Sequence, residues 1–218
     1  QAGRCRSCRK PISIQYFLVE ALTGAAWVFV PMRVLSELPS SYLVAALYAI
    51  AFSIFILLAL IDIRLRIIPD ELNVMLAVIG ALVATLLAAA GEGSFSFLGY
   101  YALIFGHAGG IVINRALAAA VGSLFFGLIV ALTRGKAMGM GDVKFAIPLG
   151  ILFGFPDIVV IIALAFIIGA LVGMALIFNK KKKMHDAVPF GPFLVVGAAL
   201  VFFFGFTMLR AYFGIFEG

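Results

Sequence analysis

The sequence predicts an all-α, polytopic membrane protein with about seven transmembrane helices, and three observations support this fold class. Of its 218 residues, 65% are hydrophobic and 12% are charged, which is more apolar surface than one water-soluble core of this size can bury. Most apolar runs have about the 20 residues that an α-helix needs to cross a bilayer. The charged residues fall in short clusters between these runs, as in the loops of membrane proteins.

Each apolar run is bounded by proline, glycine or charged residues and is predicted to form one helix. In chain order the seven spans are residues 14–35, 42–61, 72–90, 116–133, 143–155, 158–178 and 188–209. The fifth is short for about 30 Å of hydrocarbon, so we expect it to be tilted or shielded by protein rather than fully exposed to lipid, and Pro148 suggests a kink. Because no internal repeat is visible, we predict one membrane domain, residues 14–218, after a polar segment, residues 1–13.

Residues 95–113 are apolar enough for an eighth span, although they contain several glycines and His107. The positions of lysine and arginine decide between the alternatives. If this segment lies on the outer surface, only Arg33, Arg115 and Arg210 of the 16 Lys and Arg residues are outside, as the positive-inside rule favours. If it spans, the two faces carry equal numbers. We therefore predict an external, interfacial segment with aromatic anchors, and we interpret His107 as interfacial.

The N-terminal segment is polar and basic and holds a CxxC pair, Cys5 and Cys8. The chain does not begin with Met, so we expect it to be part of a longer protein with one further span upstream. The surrounding basic residues indicate a cytoplasmic, reducing environment, which favours a thiolate or metal role over a disulfide. Two thiolates are half of a tetrahedral zinc site, and His185 is too isolated in the sequence to be assumed as a third ligand.

Asp62 and Asp142 stand out among the ten acidic residues. Asp62 ends an unbroken apolar run, where a carboxylate is partly desolvated and is a functional candidate. The alternative is a salt bridge with Arg64 or Arg66. The other acids, including Asp70 and Asp157, are interpreted mainly as helix caps or solvated groups.

Asp142 lies in the segment Met-Gly-Met-Gly-Asp-Val-Lys, residues 138–144. It could simply cap a helix and be neutralised by Lys144. Gly139 and Gly141 favour another interpretation, because glycine allows close approach of a bound peptide. The topology inferred from lysine and arginine places Asp62 and Asp142 at the same, cytoplasmic face. Two such carboxyls are predicted to share a proton and to activate a water for hydrolysis.

The chain resembles the type IV prepilin peptidases, membrane aspartyl proteases of the GxGD class. Four motifs carry this resemblance, in the family's order and over nearly the whole chain. They are Cys5-Arg6-Ser7-Cys8 followed by Ile12-Ser13 and Val19-Glu20, then Ile61-Asp62 followed by Ile68-Pro69-Asp70, then residues 138–144, and last Pro189-Phe190-Gly191-Pro192-Phe193-Leu194.

The resemblance implies an endopeptidase that removes a short basic leader from pilin or pseudopilin precursors at the cytoplasmic face of the bacterial inner membrane. Asp62 and Asp142 match the family's catalytic aspartates. The candidate supporting residues are Gly139, Gly141, Lys144 and Glu20. No cofactor is expected for proteolysis. Many family members hold zinc with two CxxC pairs and methylate the new N-terminus with S-adenosylmethionine. Because only Cys5 and Cys8 are present here, zinc, S-adenosylmethionine and methyltransferase activity are predictions for the full-length protein only.

Other partners and functions follow from the same residues. The lysine run at residues 180–183 is interpreted as a topology anchor that faces anionic lipid, and nucleic acid is not expected because the basic residues form no single patch. One alternative is another GxGD enzyme, of the preflagellin or signal-peptide peptidase type. A further alternative is a transporter that uses Asp62 and Asp142 as a proton or cation site, for which acids nearer mid-span and two related halves are expected.

Overall fold

The structure is a computed structural model and describes Cys8 and residues 13–92, 95–104, 110–178 and 188–214. The described residues form eight helices: α1 (Ile14–Glu37), α2 (Tyr42–Leu65), α3 (Asp70–Ala89), α4 (Tyr101–Ile104), α5 (Ile111–Thr133), α6 (Met140–Phe153), α7 (Asp157–Phe178) and α8 (Gly191–Gly214). All except α4 and α6 are long and apolar enough to cross a membrane. The predicted fold class, a polytopic helical membrane protein, is confirmed.

Each predicted span corresponds to one helix, and the differences are at the ends. Helix α2 continues to Leu65, so Asp62 lies inside it. Helix α5 begins at Ile111, which places Arg115 inside a helix instead of in a loop. Helix α6 has 14 residues and contains Pro148. At 1.5 Å per residue it is about 21 Å long, which is too short to cross a bilayer, so six of the described helices, rather than about seven, are candidate spans.

The chain divides into two compact units, Gln1–Ile56 and Leu57–Gly218. The described part of the first unit contains α1 and the first part of α2. Helix α1 begins after Ser13, whose hydroxyl accepts the Gln15 N–H at 3.4 Å. Between the two helices, the Trp27 indole N–H donates to Ser53 Oγ at 3.1 Å.

In the second unit, α6 packs against α3 and α5. A Cβ at Gly150 of α6 would lie 2.4 Å from the Ala119 nitrogen of α5, so this approach requires glycine. The side chains of Phe145, Leu149 and Leu152 are fully buried on α6. The expectation that this short helix is shielded by protein is therefore confirmed.

Helix directions in the second unit follow from paired contacts. Helices α3 and α6 run in parallel, because Asp70 contacts Lys144 and Gly80 lies against Ile151. Helix α5 is antiparallel to α6, because Gly122 lies against Ala146 whereas Gly150 lies against Ala119. The end of α2 and the beginnings of α3, α6 and α8 consequently meet at one end of this unit, which we call the cleft end.

Residues 95–104 lie at the opposite end of the second unit. The Phe97 ring packs against Phe153 and Phe202, with centroids 5.7 and 4.6 Å apart, and the Tyr101 ring stacks on Phe213 at 5.2 Å. The prediction of aromatic anchors in the interface is wrong for Phe97 and Tyr101, because both side chains are buried against protein. His107 lies outside the described residues.

Arg115 was counted as an external charge, yet its side chain is only 2% exposed. Its Nη1 donates to the carbonyl oxygens of Ile151 and Leu152, at 2.6 and 2.5 Å. Carbonyls in the last turn of a helix have no partner within the helix, so Arg115 supplies one for the end of α6. The neighbouring Asn114 side chain pairs with both the N–H and the C=O of Phe155, at 2.9 and 2.8 Å.

Asp157 is the first residue of α7, and its side chain binds residues outside that helix. The carboxylate is fully buried and accepts the Phe97 N–H at 2.9 Å and the Ser96 hydroxyl. The positive charge of Arg115 also stabilises the ionised form of this carboxylate. Asp157 therefore fastens residues 95–98 to the beginning of α7.

Candidate active site

A cleft of about 840 Å³ opens at the cleft end of the second unit. It is lined by Asp62, residues 66–71, residues 135–142, Lys144 and residues 188–190. These residues come from the end of α2, the α2–α3 loop, the α5–α6 loop with the first turns of α6, and the segment before α8. The cleft thus joins three of the four sequence motifs.

Asp62 lies in the last turn of α2 and is 5% exposed. The helix ends because Arg66 adopts φ 55° and donates its N–H to the Asp62 carbonyl at 2.9 Å. The Asp62 Oδ2 accepts the N–H of Gly191, the first residue of α8, at 3.0 Å. This N–H has no acceptor within its own helix, and a helix N-terminus favours negative charge. The backbone N–H of Gly191 therefore holds this carboxylate.

Asp142 is the third residue of α6 and is 8% exposed. Gly139 is the N-cap of α6, so the alternative that Asp142 caps this helix is wrong. The backbone N–H of Gly139, one turn back, favours the charged form of the Asp142 carboxyl. The negative charge of Asp62 disfavours the ionised form of Asp142. The structure therefore brings the two predicted aspartates to one cleft, and their catalytic role stays a prediction.

Lys144 pairs with Asp70 rather than with Asp142. The Lys144 Nζ lies 2.9 and 2.7 Å from the two carboxylate oxygens of Asp70. Asp70 is the first residue of α3, where Pro69 occupies the N-cap position, so the predicted cap by Asp70 is not formed. The ion pair links the beginnings of α3 and α6 at the rim of the cleft.

Two residues that contact the site were not predicted as site residues. A Cβ at Gly191 would lie 2.7 Å from Asp62 Oδ2, so the close approach requires glycine. Ile68 packs against Gly141, where a Cβ would lie 3.3 Å from the Ile68 Cβ. Both residues stand in motifs that carried the family resemblance, and that was the only signal for them.

The remaining candidates lie elsewhere. Glu20 is an exposed residue of α1 in the first unit, and its role stays a prediction. Cys8 is exposed, whereas Cys5, His185 and residues 180–183 lie outside the described residues. Among the residues that the structure does describe, no group of three or more His, Cys, Asp or Glu side chains could hold a metal. Two cysteines supply only half of a tetrahedral zinc site, so zinc also stays a prediction.

Comparisons with known proteins agree with the motifs. A model of the type IV leader peptidase family matches residues 49–174, and a model of the bacterial Peptidase A24 N-terminal domain matches residues 1–34. The division into residues 1–13 and 14–218 stays a prediction.

Curated relatives match over almost the whole chain. The chain is 32% identical over 210 residues to the prepilin leader peptidase/N-methyltransferase of Aeromonas hydrophila, covering 96% of this chain and 65% of that protein. The proteins of the same description from Legionella pneumophila and Bacillus subtilis are 29% and 26% identical, over 97% of this chain and 67% and 75% of their own lengths. The chain therefore spans about two thirds of the length of such relatives. No solved structure matches it.

Proposed function

The chain belongs to the type IV leader peptidase family, and from this premise we propose that it is an aspartic-type membrane endopeptidase that cleaves leader peptides from prepilin-like precursors. The observation that carries the proposal is the placement of two buried carboxyls, Asp62 and Asp142, in one cleft. The names of the relatives support a prepilin as the substrate.

Asp62 and Asp142 would act as a pair. Two neighbouring buried carboxyls do not both ionise easily, so one retains a proton while the other is a carboxylate. The carboxylate takes a proton from a water molecule as the water oxygen attacks the scissile carbonyl carbon. The protonated carboxyl donates its proton to the carbonyl oxygen at the same time. Collapse of the tetrahedral intermediate, with proton transfer to the leaving nitrogen, then breaks the peptide bond. The shared proton belongs to the pair rather than to either residue.

The helix ends around the cleft would hold this pair in place. Gly191 at the beginning of α8 orients Asp62 by donating its N–H, and the Gly139 N–H at the beginning of α6 favours the charged form of Asp142. Both contacts come from backbone N–H groups, which cannot rotate away as side chains can. The cleft therefore offers a preorganised site, which is what electrostatic catalysis requires.

We assign the cleft to the cytoplasmic face of the inner membrane, where an apolar precursor helix could lie in the bilayer and present its leader junction. The concentration of lysine and arginine near the cleft end supports this assignment, as does the exposed Lys136 on its rim. A transporter is less well supported, because Asp62 and Asp142 lie at helix ends rather than mid-span. N-methylation with S-adenosylmethionine, and zinc at Cys5 and Cys8, are proposals for the longer protein and enter no step above.

Replacement of each aspartate tests the proposal. We expect Asp62→Asn and Asp142→Asn, each alone, to slow cleavage of a prepilin precursor in membranes at least about a hundredfold, because each removes one half of the acid/base pair. Cleavage is followed by the shift in precursor size. Glu92→Gln is the matched control, since Glu92 is an exposed acid outside the cleft. A variant of either aspartate that matures the precursor at the control rate would contradict the assignment.

A further inference from the structure

One aliphatic side chain, that of Ile68, lies beside the two glycines that adjoin the aspartates. A Cβ at Gly141 would lie 3.3 Å from the Ile68 Cβ, and a Cβ at Gly191 would lie 3.5 Å from the Ile68 Cδ1. Gly141 directly precedes Asp142, and Gly191 donates its N–H to Asp62. Ile68 is 8% exposed and lines the cleft. It therefore forms a wall of the cleft between the two elements that hold the carboxyls.

The loop that carries Ile68 is fixed at both of its ends. At one end the Arg66 N–H donates to the Asp62 carbonyl, and at the other the Asp70 carboxylate binds Lys144 at 2.7 Å. Pro69, with φ −63°, restricts the backbone between them. Each end is thus attached to a helix that carries one aspartate. These contacts restrain the backbone on both sides of Ile68.

A substrate whose scissile carbonyl lies between Asp62 and Asp142 would place the adjoining side chain near Ile68, which lines the same cleft. Ile68 faces the backbone of Gly141 and Gly191, and these glycines have no side chain that could move to make space. A β-branched isoleucine is also stiff at χ1 and yields little space. We propose, on the basis of the proposed function, that Ile68 sets the upper size limit for the substrate side chain beside the scissile bond.

The test compares precursors that differ only in the residues flanking the scissile bond. Each flanking position is set in turn to Gly, Ala, Val or Leu, and kcat/KM is measured for every precursor with the wild type and with Ile68→Ala. For the position that meets Ile68, we expect the ratio of the Gly to the Leu precursor to fall about tenfold or more in Ile68→Ala. A pocket that is larger or smaller by a few methyl groups changes the ratio of kcat/KM between two substrates by about this factor.

Val74→Ala is the matched control, because Val74 is an aliphatic residue of α3 that is 62% exposed and does not line the cleft. We expect its Gly to Leu ratio to equal that of the wild type. Ile68→Val, which lacks only Cδ1, is expected to give a smaller shift in the same direction and serves where Ile68→Ala folds poorly.

Two outcomes would overturn the role of Ile68. In one, both Ile68 variants cleave with an unchanged Gly to Leu ratio. In the other, they lose activity toward all precursors by the same factor, which indicates a general effect on the site. Either result leaves the peptidase assignment intact, because that assignment depends on Asp62 and Asp142. Cleavage that survives in Asp62→Asn would instead refute the proposed function itself.

Discussion

At the scale of single residues, the contact between Gly191 and Asp62 is the most demanding one in the cleft. We expect Gly191→Ala to slow precursor cleavage about tenfold to a hundredfold, because a Cβ would lie 2.7 Å from Asp62 Oδ2 and force the carboxylate away from its N–H donor. A hydrogen bond to a charged group contributes about 1.5 to 3 kcal/mol of stabilisation, and its loss would account for a rate change of this size. The measurement is kcat/KM on purified protein in detergent.

Gly173→Ala provides the control for that substitution, since a Cβ at Gly173 of α7 has no atom within 4 Å. If Gly191→Ala and Gly173→Ala cleave equally well, the carboxylate does not depend on the glycine N–H.

The sequence identifies some of these residues and not others, for a physical reason. A charged residue at the end of an apolar run is costly, so Asp62 and Asp142 can be singled out from their immediate neighbours alone. The acceptor and donor of the Gly191–Asp62 hydrogen bond are 129 positions apart. No local pattern of hydrophobicity reports such a contact, and the same is true of Ile68 against Gly141. These partners become visible only when the helices are assembled.

At the scale of elements, the position of the short helix α6 depends on the contacts at its C-terminal end. It begins at the cleft and ends beside Arg115, which donates to the carbonyls of Ile151 and Leu152. A helix too short to be anchored in both interfaces must be positioned by neighbouring helices. Arg115 and Asn114, in the first turns of α5, therefore fix the axial position of the helix that carries Asp142.

We expect Arg115→Met to lower the free energy of unfolding by about 2 kcal/mol or more, because it leaves two buried carbonyls without this donor and Asp157 without a nearby cation. Unfolding by denaturant in detergent measures the effect. Arg210→Met is the control, since Arg210 is exposed near the end of α8. Equal stability of the two variants would show that Arg115 is not an anchor.

The sequence misplaced Arg115 because the positive-inside rule counts charges by their position in loops and carries no information on burial. The apolar run from residue 116 gave no sign that α5 begins at Ile111, since Asn114 and Arg115 interrupt the hydrophobic pattern. Asn114 pairs with Phe155, and Arg115 Nη1 donates to a carbonyl near the end of α6; both partners are more than 30 residues further along the chain. Long, uniformly apolar helices such as α7 were predicted closely because length and hydropathy alone define them.

At the scale of the whole molecule, hydropathy predicts seven of the eight described helices and their approximate bounds. The two ends of the second unit differ because different helix ends and loops meet there. Its cleft end collects the beginnings of α3, α6 and α8 together with acidic and basic side chains. Its other end is closed by aromatic rings around Phe97 and by the buried Asp157. Two ends so different are expected to face different compartments.

Cysteine labelling tests this orientation. In a background with Cys5 and Cys8 replaced by serine, we introduce one cysteine at a time, as Lys136→Cys at the cleft end and as Tyr100→Cys at the other end, where both native side chains are exposed. We expect a membrane-impermeant maleimide to label Tyr100→Cys in intact cells and to label Lys136→Cys only after permeabilisation, because Arg134 and Lys136 favour the cytoplasm for the cleft end. Glu92→Cys, at the end of α3 away from the cleft, should label like Tyr100→Cys. The opposite pattern would place the cleft outside, and labelling of both ends in intact cells would contradict a membrane between them.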